Sequence, residues 1–140
     1  GHYATVYEGF EYGGPITQTD DEVFFVIGNW SRNPPMRVMA LSKADVTQPP
    51  RLVTEVTAGG ITGTLILDER LQRLYFSAFG KIISAPVSGG EPLELIDIKE
   101  QITAVGADDN HIYWVTGGAI EGRLFKMKKP NQNASHDLDQ

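Results

Sequence analysis

The sequence predicts an all-β protein built from about three four-stranded sheets in tandem. Three observations carry that expectation. Short runs rich in β-branched and aromatic residues recur along the chain, clusters of Gly, Pro, Asn and Asp bound each run, and the runs fall into a repeat. With 140 residues, 41% of them hydrophobic and 21% charged, the chain can bury one real core. Fifteen glycines and eight prolines favour turns over long helices.

The elements can be justified in order. Residues 3–8 (Tyr-Ala-Thr-Val-Tyr-Glu) read as a strand. Ile16 and Thr17 open the first repeat, Asp20 and Asp21 mark a turn, and residues 22–27 form a second strand around Phe24 and Phe25. Residues 37–41 and 51–56 supply a third and fourth. The second repeat opens at Ile61 and Thr62, turns at Asp68 and Glu69, and continues through Tyr75 and Phe76, then 81–85, then 93–97. A helix over 91–102 is the best of the helical candidates, but Pro92 starts it and the apolar positions 93 and 95 follow period two. The third repeat opens at Ile102 and Thr103, turns at Asp108 and Asp109, carries Tyr113 and Trp114, and ends with 123–127.

The openings at Ile16, Ile61 and Ile102 lie 45 and 41 residues apart, the period of a four-stranded propeller blade. A β-sandwich of similar strand count is the alternative architecture. The third repeat lacks a fourth strand, and residues 3–8 precede Ile16 much as 51–56 precede Ile61. The first segment is therefore expected to act as an outer fourth strand, an order that fastens a ring shut. Residues 1–129 make up the three-blade segment, residues 1–2 have the look of a tag remnant, and 130–140 form a polar tail expected to be disordered.

These residues resemble YWTD-type and NHL-like propeller repeats. The match rests on Ile112, Tyr113, Trp114, Val115 and Thr116, and on Leu74 to Ser77 followed by Lys81, Ile82 and the turn Ser88, Gly89, Gly90. Gly117 stands where the family pattern places an Asp. The resemblance implies a ring of about six blades, and rings generally take about 4 to 8. Three blades cannot close alone, so the expected partner is a second copy of the chain or the remainder of a longer propeller. An isolated wedge would leave two apolar faces in water.

Composition narrows the function classes. A net charge of −6 and a pI near 4.9 argue against a nucleic-acid surface. Lys126, Lys128 and Lys129 cluster, which reads as a solvated strand end. The absence of cysteine excludes disulfides and thiol chemistry, and no apolar run reaches the length of a membrane span. Sequons at Asn29 and Asn133 lean weakly toward an extracytoplasmic setting.

No catalytic, cofactor or metal site is expected. The acid pairs recur at equivalent turns, where one environment would give one pKa, whereas acid–base pairs need two. His111 is expected to be half-buried beside its acidic turn. The candidate ligand or partner contact is the loop after the second strand, with Asn29, Trp30, Arg32 and Asn33, because Trp and Arg are enriched at binding hot spots. The expected function is a non-catalytic binding module. A metal-dependent lactonase-like or esterase-like propeller, with ligands mostly outside this segment, is the alternative.

Overall fold

The computed structural model describes residues 2–28, 36–57, 61–117 and 121–130. Eleven strands form three antiparallel sheets, with no helix among these residues. Sheet 1 runs β1 (Tyr12–Gln18), β2 (Glu22–Gly28), β3 (Met36–Ser42) and β4 (Arg51–Val56). Sheet 2 runs β5 (Ile61–Asp68), β6 (Arg73–Ala78), β7 (Lys81–Pro86) and β8 (Leu93–Asp97). Sheet 3 holds β9 (Ile102–Ala107), β10 (His111–Thr116) and β11 (Arg123–Lys128). Each sheet is a meander, so every strand pairs with its neighbour in sequence, as the repeat predicts.

The first strands lie side by side, β1 against β5 and β5 against β9, while the later strands of neighbouring sheets make far less contact. The sheets thus converge at one edge and splay at the other, as propeller blades do. They form an open fan rather than a ring. Matching bulges interrupt β1 between Gly13 and Ile16 and β5 between Thr62 and Leu65. Pro15 falls inside the first of these, where its missing N–H breaks no ladder bond.

Two cores hold the fan. Phe24, Val26, Val38, Phe76, Ile83 and Ala85 belong to the core between sheets 1 and 2, and Tyr75, Ile82, Ile102, Ile112 and Trp114 to the core between sheets 2 and 3. Adjacent residues of a strand point to opposite faces, so Tyr75 and Phe76 serve different cores. In the outer sheets only one aromatic of each pair is fully covered: Phe24 and Trp114 are buried, while Phe25 and Tyr113 are half-buried. Gly80 lets the turn between β6 and β7 press against the β8–β9 connection. A Cβ there would lie 2.9 Å from the carbonyl oxygen of Glu100 and from the backbone nitrogen of Lys99.

Residues 2–10 form no strand within this chain, which corrects the expected fourth strand of the third blade. The reason is reach: sheet 2 stands between the first segment and sheet 3. Instead Tyr7 stacks on Phe10 at 5.7 Å and leans on Phe25 at 5.8 Å, so the segment partly shields the outer face of sheet 1.

Candidate binding surfaces

The loop with Asn29, Trp30, Arg32 and Asn33 lies outside the described residues. Its flanks are fixed by the β2–β3 ladder, in which Ile27 pairs with Arg37. At Gly28 the Met36 sulfur occupies the space a Cβ would need, so the ends of β2 and β3 close tightly there.

The acidic turns are capping devices. Asp108 Oδ1 accepts the backbone N–H groups of Asn110 (2.9 Å) and His111 (2.7 Å), and its Oδ2 accepts the Tyr113 hydroxyl at 2.9 Å. Those backbone N–H groups, then the Tyr113 hydroxyl, stabilise the carboxylate and lower its pKa to about 2. Accepting that proton also raises the Tyr113 pKa. His111 is half-buried, with Nδ1 3.8 Å from Asp108 Oδ1, as expected. In the first repeat the capping acceptor is Thr19, not Asp20 or Asp21: its Oγ1 accepts the N–H of Asp21 at 3.2 Å and of Glu22 at 3.0 Å. Its hydroxyl stands where Asp108 stands in the third repeat, three residues before the strand, because ST and Asx turns close the same hydrogen-bonded ring.

Asp68 does more than cap. Its Oδ1 accepts the Leu71 N–H at 3.0 Å, and its Oδ2 accepts the Lys129 ammonium at 2.6 Å. Both side chains are only 7% exposed, which overturns the reading of Lys129 as part of a solvated strand end. The Lys129 ammonium also lies 5.5 Å from the centre of the Tyr75 ring. Burial pushes the Asp68 carboxyl up, but the hydrogen bonds from Lys129 and Leu71, with the charges of Lys129 and Arg70, hold it below its ordinary value. This pair ties the turn of sheet 2 to the chain leaving sheet 3.

Two clefts open between sheets 1 and 2. One, of about 370 Å³, lies at the turn end and is lined by Thr19, Asp20, Asp21, Arg51, Glu69 and Ser88, among others. Arg51 crosses its floor, donating to Glu22 at 3.0 and 2.9 Å and to the Val87 carbonyl at 2.8 Å, with Phe24 beneath its guanidinium. Its remaining nitrogen, Nη1, is buried with no partner among the described residues. The other cleft, of about 530 Å³, runs between β4 and β7–β8, with Leu52, Thr54, Ile83 and Pro92 in its lining and the Lys81–Glu94 pair at 2.9 Å. Sequence reasoning missed Arg51 and the Asp68–Lys129 pair. A basic residue opening a fourth strand was the one available signal for the first, and nothing local marked the second. Among the described residues no group of three or more His, Asp or Glu side chains is arranged to hold a metal ion.

No protein-family model matches the chain, and neither does any curated protein sequence. Solved structures do. A chain in the crystal structure of the nidogen/laminin complex superimposes with a TM-score of 0.63 at 12% identity, over 79% of this chain and 42% of that one. The chain thus spans less than half of that neighbour, a propeller structure, and the likeness concerns the fold alone. The computationally designed Ika4 protein aligns over 89% of this chain and 95% of its own, with a TM-score of 0.49 and 11% identity.

Proposed function

We propose that this chain is one half of a propeller of the YWTD or NHL-like kind and works as a binding module once a second half covers its ends. The carrying observation is the pair of end faces, neither covered by a further sheet, that of sheet 1 only partly shielded by residues 2–10. Phe25 in sheet 1 and Tyr113 in sheet 3 are only half-buried, whereas the equivalent Tyr75 and Phe76 of sheet 2 are fully buried. Leu124 on β11 is 71% exposed. Exposed apolar side chains gathered at the end of a sheet stack mark association surfaces. The loop with Asn29, Trp30, Arg32 and Asn33 is the proposed ligand or partner contact of the completed ring.

A dye that fluoresces on apolar surface tests the reading. The dilute 15.4 kDa chain should bind it and melt at a low temperature, and association should abolish the signal. A dilute monomer that melts high and binds no dye would show a self-sufficient wedge and overturn the half-ring. Turnover in a lactone-hydrolysis assay with divalent metal would replace the binding module with an enzyme.

A further inference from the structure

Among the described residues, sheets 1 and 2 each have four strands and sheet 3 has three, with β11 at its edge. An edge strand leaves a row of backbone N–H and C=O groups unpaired, a template for another strand. The chain passes between sheets by one rule. The outermost strand ends, a four-residue connection follows, and the innermost strand of the next sheet begins: Val56 to Ile61, and Asp97 to Ile102. Residues 9–11, a connection one residue shorter, separate residues 3–8 from β1 at Tyr12, which sets the segment at the place of an outermost strand of a sheet ahead of sheet 1.

No sheet among the described residues lies ahead of sheet 1. Residues 9–11 span at most about 10 Å when extended, and packed sheets stand about 10 Å apart. Sheet 3 is two spacings away, because packing runs from β1 to β5 to β9, and no contact of comparable extent joins sheets 1 and 3. Residues 3–8 are left without a strand partner, with Tyr3 97% and Val6 51% exposed. Antiparallel addition would bring Glu8 to the Arg123 end of β11, where Arg123 pairs with Glu100 within the chain.

We propose that residues 3–8 of one copy add antiparallel to β11 of a second copy, and the reverse, so that two fans close a six-sheet ring by reciprocal strand exchange. The proposal rests on the half-ring reading and names its second half as another copy of this chain. The arrangement is two-fold symmetric, with the same two surfaces meeting twice. Closure would release Tyr7 from Phe25 and bring sheet 3 of the other copy against that face.

The test uses the full chain and two kinds of variant. Light scattering at micromolar concentration should give twice the 15.4 kDa mass for the wild type and the single mass for Val6→Pro, whose proline removes a ladder donor at an exposed position. Because the chain has no cysteine, T5C and K126C chains can be mixed and oxidised. The mixed disulfide should exceed either homodisulfide several-fold. A Val6→Pro chain that still dimerises, with no preference for the mixed disulfide, would overturn the exchange while leaving the half-ring reading intact. A wild type that stays monomeric at these concentrations overturns self-completion, and its dye binding then decides separately whether the half-ring reading stands.

Discussion

Asp108 shows how much a single side chain settles in a turn. Its carboxylate collects two backbone N–H groups and a phenol hydroxyl, so the protein favours its charged form. With a folded pKa of about 2 against an ordinary 3.8, Asp108 contributes stability that is fully present above about pH 4 and disappears as the pH falls through 2. A carbon-detected carboxyl titration should place its midpoint near 2, and Tyr113→Phe should move that midpoint upward by removing one donor. A midpoint at the ordinary carboxylate value in the wild type would mean that the turn does not hold. Recurrence of acids at the turns was legible in the sequence, and so was their structural role. That Thr19 takes this role in the first repeat was not, because a hydroxyl can close the same turn and the neighbouring Asp20 and Asp21 present the more conspicuous acceptors in the sequence.

Among the elements, the end of β11 is the least expected. Three lysines near a strand end predict solvation, yet the last of them enters a buried pair with Asp68 on the neighbouring sheet. A residue 61 positions away supplies the partner, and no local pattern can signal such a distance. Breaking one side of a buried pair leaves the other charge uncompensated, at a cost of about 3–5 kcal/mol. Lys129→Met should therefore lower stability by about that amount in denaturant titration, and Asp68→Asn added to it should recover part of the loss. Indifference to Lys129→Met would show that the pair is solvated after all. The strands themselves were largely legible, since period-two patterning and turn residues fix both their existence and their order.

At the scale of the whole molecule, the middle sheet packs against another sheet on both faces and each outer sheet on one. At dilutions that keep the chain monomeric, amide hydrogen exchange should be slowest in β6 and β7 and faster in β2 and β10, because opening an outer sheet exposes only one packed interface. Equal protection in all three sheets under those conditions would contradict an open fan. The strand order and the count of three sheets among the described residues were determined by the sequence alone, since side-chain alternation and turn chemistry are local properties. The phase of the first repeat was not, because β1 opens at Tyr12 and Ile16 is exposed where Ile61 and Ile102 are buried. The sequence also marked residues 3–8 as a spare strand. Where that strand could pair was decided only by the tertiary structure: a three-residue connection cannot carry it past sheet 2 to the open edge of sheet 3. Pairing across space depends on reach and on what stands between, and neither is written in the order of residues.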